Sequence, residues 1–242
     1  LPAPKGAKPT PALEDDSKRP DDLAARIKKF TGAATRIVWS RADNPADIFG
    51  EKREAQLLGF DTEDGRGERC ILAQPDSYAR PLITPDGQRI VVSNVATHIC
   101  YVVNFDGTGL HEFAQGFAAC LWSDPKTKET WVCVREKEGS GKTEVIVRRK
   151  LDHPEVAVRI WTTADNGESA MSHVGLMNDG IHAVDCNPWP IIGTIDVERG
   201  RFKSVTNGCW PSVCPDETGR FFTFRGNHRS IYMFDKLKSD GR

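Results

Sequence analysis

The sequence has no excess of either charge: 33 Lys and Arg face 34 Asp and Glu over 242 residues, a formal net charge of -1. Recognition of DNA or RNA through its phosphates needs a basic face. No block of Lys and Arg runs longer than Arg148-Arg149-Lys150, so no nucleic-acid partner is expected. No stretch approaches the roughly 18 to 20 apolar residues of a membrane span. The longest run, Phe117-Ala118-Ala119-Cys120-Leu121-Trp122, has the length of a strand. Signatures of several chemistries are missing as well. No CxxC or HxxxH spacing offers a metal site, and no Gly-x-Ser-x-Gly follows a strand as a nucleophile elbow. Gly139-Ser140-Gly141-Lys142-Thr143 imitates a phosphate loop, but the glycine that the motif needs is Glu136, and Glu144-Val145-Ile146-Val147 reads as a strand where a helix belongs. The expectation is a chain without cofactor or metal.

What is present is turn chemistry. With 21 Gly, 15 Pro and 38% hydrophobic residues, the composition suits a globular chain with many turns. Residues 1–19 read as a Pro-rich tether without an apolar h-region. Leu1 in place of Met fits a secretory signal already removed, hence a periplasmic or secreted location, and fits a boundary chosen in cloning equally well. Residues 20–33 predict a helix leading into the main domain. Pro20-Asp21-Asp22 starts it, Leu23, Ala24, Ile27 and Phe30 share a face, and Gly32 ends it. Everything after that reads as strands.

Seven cysteines leave at least one thiol unpaired within the chain. Cys120 and Cys133 flank a hairpin that turns over Pro125 to Lys128, which sets them opposite each other and makes them the disulfide candidate. Cys209 and Cys214 cannot join while both stay on one strand, because five residues span about 17 Å. The plainer reading makes most of the cysteines small buried hydrophobes.

A strand closing on aspartate recurs along the chain, at Asp61, Asp106, Asp152, Asp196 and Asp235, with successive spacings of 45, 46, 44 and 39 residues. Before each of the last four stands a second signal, strand, Pro/Asp/Gly turn, strand: around Pro85-Asp86-Gly87, Asp124-Pro125, Asn178-Asp179-Gly180 and Pro215-Asp216. Two signals locked in phase describe a meander of about four strands that cannot bury both faces alone and therefore stacks on its neighbours. The fold class is all-β, a β-propeller over residues 34–242 with about five four-stranded blades and one short N-terminal helix. Blade one lacks an inner strand before Ile37 and blade five an outer strand after Asp235. Either the two ends complete one composite blade, or the chain is a portion of a longer propeller whose open edge would call for a partner.

Thr84-Pro85-Asp86-Gly87-Gln88-Arg89-Ile90-Val91-Val92, followed by Ile99-Cys100-Tyr101-Val102-Val103-Asn104-Phe105-Asp106-Gly107-Thr108-Gly109, resembles the repeat of TolB-like (WD40-like) propellers, and Cys214-Pro215-Asp216 repeats it in weaker form. Thr35-Arg36-Ile37-Val38-Trp39 with Gly59-Phe60-Asp61-Thr62-Glu63-Asp64-Gly65 is similar to the opening blade of exported bacterial members of unassigned role. The resemblance implies fold more than function, since the family holds periplasmic interaction proteins, sugar-processing enzymes and peptidase gates.

In such a fold, ligands meet the loops that gather at one face. On this register they present Arg80, His98, Trp189, Trp210, Arg225, Asn227, His228 and Arg229. Aromatic plates beside Arg, Asn and His suit sugar or carboxylate recognition. The plainer reading gives Asn227 and Gly226 to a hairpin turn, Trp189 to a cover between two prolines, and Trp210 to packing between blades. His98 and His228, in equivalent loops, are the better pair for a base, whereas His173 and His182 straddle a hairpin. Arg135-Glu136-Lys137-Glu138 reads as a solvated hairpin tip. The chain is therefore expected to be a non-catalytic binder of a protein partner or glycan, and incomplete outer blades would make it a subunit of a larger envelope or extracellular assembly. The alternative is a polysaccharide lyase or hydrolase with a His/Arg site in the axial pocket.

Overall fold

A computed structural model of the chain describes residues 23–42, 54–138, 144–162, 174–214, 216, 218–225 and 228–235. The tether therefore lies outside the described residues, as do the phosphate-loop mimic, His173 and Asn227. The structure divides into one unit of residues 1–37 and 60–69 and a second of residues 38–59 and 70–242.

In the first unit, helix α1 spans Leu23–Thr31 and ends at Gly32, whose φ of +75° is the left-handed conformation that a helix C-terminus favours. The expected apolar face exists but is not buried: Phe30 is 93% exposed and no residue of α1 is buried. Local hydrogen bonds hold this unit. Arg36 Nε donates to Asp61 Oδ2 at 2.7 Å, the Glu63 amide donates to Asp61 Oδ1 at 2.8 Å, and Lys28 pairs with Glu63 at 2.6 Å.

Strands form five antiparallel sheets. The first contains β1 (Arg36–Ala42), β2 (Ala55–Asp61) and β3 (Arg69–Asp76). The second contains β4 (Tyr78–Ile83), β5 (Arg89–Asn94), β6 (Ile99–Asn104) and β7 (His111–Gln115). The third contains β8 (Phe117–Ser123), β9 (Thr130–Lys137), β10 (Glu144–Lys150) and β11 (Ala157–Thr162). The fourth contains β12 (Gly175–Leu176), β13 (His182–Cys186), β14 (Ile191–Asp196) and β15 (Arg201–Asn207), and the fifth β16 (Cys209–Val213), β17 (Phe221–Arg225) and β18 (Ser230–Phe234). Sheet order follows chain order, so each sheet is a meander.

The second unit shows why the strands carry apolar residues on both faces. Four core clusters lie between consecutive sheets. Leu57 and Ile71 meet Ile90, Val92 and Val103; Val91, Cys100 and Val102 meet Val132 and Val134. Trp131, Cys133 and Ile146 meet Leu176, Ala183 and Ile195, and Val184 and Ile192 meet Phe221. Successive residues of one strand, such as Val91 and Val92, thus enter different clusters, as the two-residue period of a strand requires. A sheet sandwiched on both sides is a propeller blade, and the fold is a β-propeller.

The repeated aspartates do turn work. Asp86, Asp124, Asp179 and Asp216 each accept a backbone N–H two residues ahead, at 2.8 to 3.1 Å. After third strands, Asp106 accepts the Thr108 amide two residues ahead at 2.9 Å and Asp196 the Arg199 amide three ahead at 3.0 Å. Irregularities repeat as well. The first and second strands of sheets two, three and five slip register by a bulge, and so do the third and fourth strands of sheets two, three and four. Two of the bulges place Arg80 and Trp210, each preceding a proline, at φ of +53° and +55°.

The charged run on β9 departs from the sequence reading. Arg135 is not solvated but 2% exposed, with Nη1 donating to Glu144 at 2.8 Å and Nη2 3.5 Å from Asp185. Glu136 takes both Nε and Nη2 of Arg149, and Glu138 takes Arg159. The tip expectation fails because the strand continues through Lys137, so alternation turns Arg135 inward between sheets three and four.

Cys120 and Cys133 are Cα partners across β8 and β9, the expected register, and both are free thiols. A hydrogen bond to Cys120, with burial, holds the Cys133 thiol well above the usual thiol range.

Candidate functional site

The loop between β13 and β14 carries Asn187-Pro188-Trp189-Pro190, and the entry to β16 carries Gly208-Cys209-Trp210. The two are joined: the Gly208 amide donates to Pro190 O at 2.8 Å. Gly208 is required there by close approach, since a Cβ would stand 2.7 Å from Thr223 Oγ1 and 2.8 Å from Phe224 O. The turn between β17 and β18 reaches the same place, because His228 Nε2 lies 2.7 Å from Cys209 Sγ. The loops of Trp189, Trp210 and His228, which the sequence reading set facing one another, are thus linked on sheets four and five.

The side chains on that surface divide into exposed and engaged groups. Trp189 is 67% exposed and Trp210 42%. Trp210 also lies 5.6 Å from the His228 ring, and Phe224 flanks that ring at 6.0 Å. Arg225 places its guanidinium 4.6 Å from the centre of the Tyr232 ring, a cation–π contact on an exposed tyrosine. Arg229 is exposed beside His228. Beneath them Cys186 is buried, its thiol pushed up to about 12 by desolvation and by the nearby Asp185 and Cys209.

Arg80 and His98 belong elsewhere. Arg80 stands on β4 at the position that Trp210 takes on β16, but it is half-buried, and burial with the neighbouring Arg135 charge brings its guanidinium down to about 10. His98 occupies a hairpin corner at φ +58°, its amide donating to Asn94 O at 2.9 Å and its ring 5.0 Å from Phe117. Among the described residues no contact joins His98 to His228. His182 is engaged by Asp179, with Nδ1 and Oδ2 2.6 Å apart. Among the described residues no three His, Cys, Asp or Glu side chains form a group that could hold a metal ion, and no helix is long and apolar enough to cross a membrane.

Sequence reasoning missed two features. The sequence reading takes Cys209 as a disulfide partner or a small buried hydrophobe, although its place 19 residues before His228 is a strand–turn–strand distance that could have paired them. The buried Arg135–Asp185 contact has no such local signal.

No protein-family model and no curated protein matches the chain. Solved structures do match. An oligogalacturonate lyase in complex with manganese is 13% identical over 85% of this chain and 63% of its own, with a TM-score of 0.58. An oligogalacturonate lyase from Vibrio parahaemolyticus is 15% identical over 85% of this chain and 64% of its own, with a TM-score of 0.56. TolB from Acinetobacter baumannii is 17% identical over 88% of this chain and 54% of its own, with a TM-score of 0.59. The chain spans less than two thirds of each of these proteins. The likeness is one of fold, that of the TolB-like β-propellers.

Proposed function

We propose that this propeller is an exported, non-catalytic binding module whose loop face on sheets four and five takes an acidic glycan. The observation that carries the reading is the pair of exposed indoles, Trp189 and Trp210, on loops tied together through Gly208 and Pro190. An indole that stays exposed on a hydrogen-bonded loop offers a sugar a flat apolar face, and Arg225 and Arg229 supply donors for carboxylates. The likeness to oligogalacturonate lyases, whose name denotes an acidic oligosaccharide, supports the same ligand class. An overall charge near zero also leaves recognition to such local groups rather than to long-range steering.

One observation favours a second reading, a protein partner in a larger assembly. Ile231, Tyr232 and Met233 of β18 are 62%, 45% and 56% exposed, whereas the third strands β6, β10 and β14 are mostly covered. An exposed apolar strand suits a protein surface better than a sugar.

The test is intrinsic tryptophan fluorescence during titration with oligogalacturonates, with product absorbance followed in the same cuvette. Saturable quenching lost in Trp189→Ala and unaccompanied by double-bond formation or new reducing ends supports the binding module. Turnover would replace it with the enzyme reading, in which His228 or His98 acts as base. Neither binding nor turnover would leave the protein-partner reading in its place.

A further inference from the structure

Cys209 and His228 form a contact that ligand binding does not require. Cys209 opens β16, its carbonyl accepting Thr223 Oγ1–H at 2.8 Å, while the preceding Gly208 is locked to Pro190. His228 is exposed in the β17–β18 turn at φ +62°, its ring packed against Trp210 and Phe224 with Nε2 2.7 Å from the sulfur. Both partners are thus fixed by their own surroundings. Among the described residues no other cysteine has a histidine within hydrogen-bond distance. Burial pushes the Cys209 thiol up, so at rest the sulfur keeps its proton beside the imidazole. A thiol in contact with a base can lose that proton as it attacks, which is how an imidazole activates a weak nucleophile.

We propose that Cys209 and His228 act as a thiol–imidazole nucleophile pair, making Cys209 the chain's site of covalent modification by carbon electrophiles that carry a leaving group. In the step, Sγ bonds to the electrophilic carbon while the bond from that carbon to its leaving group breaks, the electron pair departing with the leaving group. The thiol proton passes to Nε2, and the imidazolium hands it on to the leaving group or to water. The exposed Trp210 next in sequence gives the incoming carbon an apolar wall. Cys186, buried beneath, keeps its proton and does not compete. None of this depends on which ligand the loop face binds.

The chain holds its own reference in Cys70, which is more exposed than Cys209. Under accessibility alone, Cys70 would react first. The experiment treats the native full chain with limiting iodoacetamide near pH 7, quenches at intervals, and reads alkylation of each cysteine by peptide mass mapping. Cys209 is expected to react about tenfold or more faster than Cys70, with iodide released for each thioether formed. His228→Asn, which keeps a side chain tolerant of the left-handed backbone, is expected to abolish that advantage and leave the Cys70 rate unchanged. Cys70 reacting as fast as Cys209 in the wild type overturns the proposal without recourse to any variant, and so does an unchanged Cys209 rate in His228→Asn.

Discussion

Arg135 Nη2 and Asp185 Oδ1 stand 3.5 Å apart in the interior, joining the second strand of sheet three to the second strand of sheet four, and both side chains are withdrawn from water. Glu144 takes Nη1 of the same guanidinium at 2.8 Å. Burial lifts the Asp185 carboxyl to about 7 despite the pull of Arg135. An unfolded aspartate titrates near 3.9, so the folded chain holds this proton more tightly than the unfolded one. The associated stability is complete below about pH 4 and is lost as pH rises through about 7.

The first prediction follows from that sign. Asp185→Asn mimics the protonated form at every pH, so thermal unfolding of wild type and variant should differ most in favour of the wild type near pH 5. By pH 8 the difference should shrink or invert. A gap that is constant from pH 5 to 8 contradicts the buried carboxyl. Removing the other partner is a different matter: Arg135→Met leaves Asp185 and Glu144 without their cation and should cost about 3 to 5 kcal/mol in urea unfolding at pH 7.5.

Acid should act through the turns. Hydrogen bonds hold the carboxyls of Asp86, Asp124 and Asp216 below the usual carboxylate range: the Thr84 and Thr218 hydroxyls lead for Asp86 and Asp216, and the Lys126 amide for Asp124. A depressed folded pKa contributes stability that is present above about 3.9 and lost as pH falls through the folded value. These turn carboxylates should therefore leave the melting temperature unchanged from pH 6 to 5, where Asp185 governs it, and make it drop steeply below about pH 4. Asp86→Asn combined with Asp124→Asn should flatten that drop, whereas an equally steep fall in the double variant would place the acid sensitivity elsewhere.

Gly180 ends the Asn178-Asp179-Gly180 turn at φ +69°, with the Trp122 ring of the neighbouring sheet against it, and a Cβ there would lie 2.5 Å from Trp122 Cζ2. Trp122 also donates from Nε1 to Asn178 O at 3.2 Å. Gly180→Ala meets both a left-handed backbone and an indole, so it should destabilise by about 1 to 3 kcal/mol. Chemical denaturation measures the loss, and a neutral result would mean that the turn and Trp122 separate at little cost.

The opposed thiols of Cys120 and Cys133 remain a proposed disulfide. Incubation with oxidised glutathione should join them with release of two molecules of reduced glutathione, and non-reducing peptide mapping should show one linked peptide. Closing a loop of about a dozen residues should raise unfolding stability by up to about 3 kcal/mol. Persistence of both thiols as alkylatable groups in the unfolded, oxidised sample rejects the pairing.

Local chemistry decided what could be read from the chain alone. Asp-Gly turns, two-residue periodicity and a spacing near 45 residues each depend on neighbours a few positions away. They sufficed for the propeller, the Cys120–Cys133 register and the loops that carry Trp189, Trp210 and His228. They did not reveal that α1 leaves Phe30 exposed, that Arg135 faces inward, or that Arg80 and Trp210 occupy equivalent bulges with opposite fates. The tertiary structure settled these, because burial of a side chain depends on which sheet packs against it. The same holds for the thiol and imidazole on sheet five, whose contact at 2.7 Å arises only when strand register and a left-handed turn bring residues 19 positions apart to one point.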